Sequence, residues 1–134
     1  MLLLLSALAS PDLPPLSLAE HCELYELIHR EQLGSRNLTD HGLALYASRG
    51  GGERDHTCPG WKTWEAAPTQ VVVFEPPMFS ARYGAATVDY TVLAYNHHWD
   101  VRRVTGREHW TCNLEHEAAG WRLRGCSETI PPKP

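Results

Sequence analysis

Four cysteines, eight histidines and five tryptophans are the side chains of this 134-residue sequence best suited to chemistry. The stretch 109–126, HWTCNLEHEAAGWRLRGC, carries two of the cysteines on what reads as a tight hairpin. Pairing His116 with Trp121 puts Trp110, Cys112 and Leu114 on one face with Trp121 and Leu123, which suits burial. In that register Cys112 faces Gly125, and a bulge at Gly125 shifts the pairing by one to bring Cys126 opposite Cys112. Two disulfides are therefore expected, Cys112–Cys126 and, from the remaining pair, Cys22–Cys58. Neither pair has the C-x-x-C spacing of a redox centre. His56-x-Cys58 lacks a second short-spaced pair to complete a zinc site.

The histidines are densest at His97-His98-Trp99-Asp100. Adjacent histidines on a strand point to opposite faces, so this pair chelates poorly by itself. A metal reading would start from His97, His98, His109 and His116, but surface histidines are the expectation and no metal site is assigned. Trp110 and Trp121 fit a core, whereas Trp61, Trp64 and Trp99 fall in loops and, with Tyr90, are the candidates for lining a pocket. The sequence calls for no cofactor.

Elements must position these groups. Ser17-Leu18-Ala19-Glu20 has the form of a capping box and opens a helix whose apolar face is Leu18, Cys22, Tyr25 and Ile28, with Gly34 as its stop. Asn37 caps a second, shorter helix through about Ser48, ended by Gly50-Gly51-Gly52. A short third helix is expected at about 61–66. From Thr69 the period changes. Thr69 to Glu75 reads as a β-branched strand stopped by Pro76-Pro77. Ala85 to Tyr95 alternates, with Ala86, Val88, Tyr90, Val92 and Ala94 on one face and Thr87, Asp89, Thr91, Leu93 and Tyr95 on the other. Asn96 to Thr105 reads as a polar connection, followed by the hairpin of Arg107–His116 and Trp121–Glu128 around Glu117-Ala118-Ala119-Gly120.

The N-terminus, MLLLLSALAS followed by PDLPP, resembles the end of a secretory leader, with Ala7-Leu8-Ala9 as a cleavage signature before Ser10. The expected organisation is a leader remnant and linker over 1–15, one domain over 16–130 and a Pro-rich tail over 131–134. The apolar run is too short to span a bilayer as a helix. Apolar residues at 43% and charged residues at 21% are ordinary globular values. Twelve Lys and Arg against sixteen Asp and Glu give a net charge of −4, without the basic footprint that nucleic-acid binding needs. Asn37-Leu38-Thr39 is a glycosylation sequon in form.

Helices followed by an antiparallel sheet make an α+β layer. The order of elements, with AATVDYTVLAY and then Gly120-Trp121-Arg122-Leu123 closing the chain, resembles the nuclear transport factor 2-like superfamily, in particular its small secreted actinobacterial members. The likeness runs over residues 17–130. It implies a curved sheet wrapped over N-terminal helices into a cone with an apolar pocket, and a homodimer through an exposed sheet face. The isomerase and dehydratase branch of that superfamily works by acid–base chemistry inside the cone. Tyr25, Asp40, Asp89 and His109 are the residues of suitable type, although their spacing reproduces no catalytic pattern. Leu93 and Tyr95 share the face of Asp89, which leaves open whether that carboxylate looks inward. Fold alone does not settle function. The reading favoured is an exported, non-catalytic module for a small apolar ligand or a protein partner, ahead of an isomerase- or dehydratase-type enzyme and an exported metal binder.

Overall fold

A computed structural model describes residues 13–33, 43–47, 58–59, 70–98 and 101–130. Its elements in chain order are a helix α1 (Leu18–Ile28) that continues as a π-helical turn (His29–Leu33), then β1 (Leu43–Ala47), β2 (Gln70–Phe74), β3 (Met78–Ser80), β4 (Ala85–His98), β5 (Val101–Glu117) and β6 (Gly120–Thr129). Among the described residues the architecture is α+β, one helix on one sheet, as the element order in the sequence suggests.

The capping box forms as read: the Glu20 N–H donates to Ser17 Oγ at 3.2 Å and the Ser17 N–H donates to Glu20 Oε1 at 3.2 Å. Cys22, Leu24, Tyr25 and Ile28 are the buried face of α1. Leu18 is a correction: in the first turn it stays 66% exposed, and the apolar face engages the core only from Cys22 on. The π-helical turn has a packing reason. Ile28 and Leu33 are both fully buried, yet five residues on a regular α-helix lie about 140° apart, and the wider turn swings Leu33 back toward the core.

The strands form one six-stranded sheet in the order β1-β2-β4-β5-β6, with β3 pairing β4 beside β2. β2 and β3 are one run interrupted by Pro76-Pro77: β2 pairs with residues 90–94 of β4 and β3 with residues 85–87. The two prolines sit at the break, where no ladder hydrogen bond is asked of them.

Two expectations are overturned. The segment expected to be a second helix through Ser48 instead holds β1, paired in parallel with β2 through Leu43↔Gln70 to Ala47↔Phe74. Its Leu- and Ala-rich sequence favours a helix, and pairing with the Val71–Val73 run outweighs that weak preference. Asn37, its expected cap, and the third helix at 61–66 lie outside the described residues. The polar connection of Asn96–Thr105 is also strand for most of its length, since β4 runs to His98 and β5 starts at Val101. A bulge between Ala94 and Tyr95, with Ala94 opposite Gly106 and Tyr95 opposite Val104, absorbs Thr105 as the extra residue and bends the pair there.

The core lies between α1 and one sheet face. Val72 and Phe74 of β2, Ala86, Val88, Tyr90 and Val92 of β4, and Cys112 and Leu114 of β5 meet the helix residues, with Trp110, Trp121 and Leu123 packed half-buried against them. The alternation read for β4 and the hairpin is the one observed. On the opposite face a smaller cluster joins Val71, Val73 and Leu93, flanked by Val104.

Candidate functional site

Both disulfides have the expected pairing. Cys22–Cys58 ties α1 to the segment between β1 and β2 across a sequence separation of 36, and Cys112–Cys126 crosses the final hairpin with Cα atoms 4.0 Å apart. The hairpin keeps His116 opposite Trp121 and brings Cys126 opposite Cys112. Leu114 pairs with Leu123 and Asn113 with Gly125, so Arg124 is the extra residue, one position before the expected bulge. Arg124 points to the outer face and donates through Nε and Nη2 to Glu115 Oε2 at 2.8 and 2.6 Å.

The inner face, toward α1, is occupied by aromatic rings. Tyr25 stacks on Phe74 with centroids 4.9 Å apart, Phe74 meets Tyr90 at 5.5 Å, and Tyr90 stacks on Trp110 at 6.3 Å. Tyr25, Phe74 and Tyr90 are each at most 1% exposed and belong to the core between α1 and the sheet. Tyr25 reaches its position because helical spacing puts it on the face of Cys22 and Ile28, and its hydroxyl donates to the Glu75 carbonyl at 3.1 Å. Burial first, and the Glu75 carboxylate second, push the ionisation of that hydroxyl well above the ordinary tyrosine range. At any ordinary pH Tyr25 is a neutral donor. Tyr90, expected to line a pocket, is part of the core.

The outer face of β4 and β5 holds the polar groups. Three directly opposed pairs are hydrogen-bonded: Thr87 Oγ1 donates to Asn113 Oδ1 at 3.3 Å, Thr111 Oγ1 donates to Asp89 Oδ1 at 2.7 Å, and Thr91 Oγ1 lies 3.0 Å from His109 Nδ1. Gly125, Ser127 and Thr129 of β6 extend the same three rows. Asp89, His109 and Asn113 are exposed, and the three threonines are half-buried.

These placements divide the candidate catalytic residues. Asp89 and His109 share the outer face, and Tyr25 is across the sheet among the core rings, so the three do not converge on one reacting atom. Asp40, Trp61, Trp64 and Trp99 lie outside the described residues. His97 and His98 are on the last residues of β4, and His116 is on the inner side of β5, its ring edge-on to Trp121 at 5.2 Å. Among the described residues no three His, Cys, Asp or Glu side chains gather as a metal would need. The outer rows were not picked out from the sequence. Their signal is the Thr-x-Asp-x-Thr of β4 facing the His-x-Thr-x-Asn of β5, which becomes readable only with the register between the two strands.

No described helix is long and apolar enough to cross a membrane. The chain matches no protein-family model, no curated protein and no solved structure.

Proposed function

We propose that the chain is an exported, non-catalytic interaction module of the nuclear transport factor 2-like kind, binding a protein partner through the outer face of β4, β5 and β6. The observation that carries this reading is the ring-packed core: Tyr25, Phe74 and Tyr90 pack on one another and are each at most 1% exposed, which favours a packed interior over an open pocket. The outer face supports it from the other side, with exposed hydrogen-bonding groups held in register by the strands beneath them. Two disulfides support export, because such bonds persist in oxidising compartments. The helix-then-sheet order supports the superfamily assignment.

Two measurements on the purified chain test this. An environment-sensitive naphthalene sulfonate dye is expected to show no saturable fluorescence gain with the native chain. Isomerisation of a β,γ-unsaturated ketone is expected to run at the uncatalysed rate. Saturable dye binding would restore the small-ligand reading; turnover lost on Tyr25→Phe would restore the enzyme.

A further inference from the structure

We infer that the Cys112–Cys126 disulfide selects between two registers of the β5–β6 hairpin, and that its reduction lets residues 124–129 slip by one position along β5. The near half of the hairpin is pinned by side chains. Leu123 pairs with Leu114 and Trp121 with His116, and both Leu123 and Trp121 pack on the core. Beyond Leu123 the sequence is Arg-Gly-Cys-Ser-Glu-Thr, with no large apolar side chain to distinguish one face from the other. Register is weakly specified in such a strand.

The bulge at Arg124 is therefore held mainly by the bond that follows it. Continuing the pairing of the near half without a bulge would put Arg124 opposite Asn113, Gly125 opposite Cys112, Cys126 opposite Thr111, Ser127 opposite Trp110 and Glu128 opposite His109. That arrangement recovers the ladder position the bulge gives up. It also moves Glu128 from its place opposite Trp110 on the inner face to the outer face, across from His109 and diagonal to Arg107, where opposite charges meet. No further strand resists the slip: among the described residues β6 is the sheet's edge and pairs only with β5, and of residues 124–129 only Cys126 packs on the core. Gly125 has no atom within 4 Å of where a Cβ would stand, so no packed neighbour holds it in its present outward place.

The chemistry is thiol–disulfide exchange with a dithiol reductant. Its thiolate attacks Sγ of Cys126, the partly exposed partner, and expels the Cys112 thiolate, which takes up a proton. The reductant's second sulfur then releases Cys126 as a thiol and closes the reductant's own disulfide, so two electrons and two protons pass to the chain. Slippage would carry Arg124, Cys126 and Glu128 onto the outer rows in place of Gly125, Ser127 and Thr129. The register change stands on the hairpin alone; its effect on a bound partner rests on the function proposed above.

The test compares the oxidised chain with the double variant Cys112→Ser/Cys126→Ser, which keeps the Cys22–Cys58 link, by interstrand backbone-proton contacts in nuclear magnetic resonance. The oxidised chain should show position 112 against position 126. The variant should show position 112 against Gly125 and position 126 against Thr111. A variant that keeps the 112–126 contact overturns the proposal, and so does one in which residues 124–129 lose every contact with β5. Deleting Arg124 from the native sequence removes the extra residue and aligns the cysteines without a bulge, so its contacts should be the same before and after dithiothreitol; a redox-dependent register there also overturns it.

Discussion

Tyr25 has the residue type of a catalytic donor and lies in the core. Its hydroxyl is bonded to a backbone carbonyl and its ring is stacked on Phe74. Because burial makes the phenol harder to ionise in the folded chain than in the unfolded one, the folded state keeps a proton that the unfolded state gives up at high pH. Stability is then at its full value below the ordinary tyrosine value of 10.0 and falls as pH rises through and beyond it. Urea midpoints taken across that range should decline, and Tyr25→Phe should flatten the decline while costing about 1 kcal/mol at neutral pH through the lost hydrogen bond. A slope unchanged by the substitution would show that Tyr25 ionises freely. The residue types at 25, 89 and 109 are plain from the sequence. Which face each takes is not, because the alternation of β4 is amphipathic only in part: Leu93 shares the side of Asp89 and is buried in the second cluster.

At the scale of elements, glycines that look alike in the sequence do different work. Gly84, in the turn between β3 and β4, has φ +59°, and a Cβ there would stand 3.4 Å from Leu13 Cδ1. Gly84→Ala should destabilise the chain by about 1 kcal/mol or more from the left-handed backbone alone. Gly125 has neither constraint, so Gly125→Ala should stay within about 0.5 kcal/mol, and paired thermal melts would separate the two. The legible elements were those with strong local signals: the Ser17–Glu20 capping box, the β-branched run before Pro76-Pro77, and the alternation of the hairpin. β1 was illegible because Leu-Ala-Leu-Tyr-Ala has a helical composition, and only its distant partner β2 makes it a strand. The far ends of β4 and β5 were hidden for a related reason. Their polar residues read as a loop until the bulge at Ala94 and Tyr95 lets the two strands continue together.

Over the whole molecule, layer order and disulfide pairing followed from the sequence, because helix-then-strand periodicity and the parity of a hairpin are properties of the chain itself. The candidate interaction face did not, since it depends on how β4 is set against β5 over fourteen paired positions. Among the described residues the sheet ends at β6, and a sheet that ends must keep its last strand from recruiting another chain's. The irregularity at Arg124 breaks the regular row of donors and acceptors along that margin, while the ion pairs of Arg122 and Arg124 with Glu115 and Glu117 line its start with charge. The bend that seats Cys126 thus also interrupts the edge that another strand would pair with. A chain whose hairpin has been reduced and straightened would present an uninterrupted margin, and concentrated solutions of the Cys112→Ser/Cys126→Ser variant should scatter light and bind amyloid dyes at concentrations where the oxidised chain stays clear.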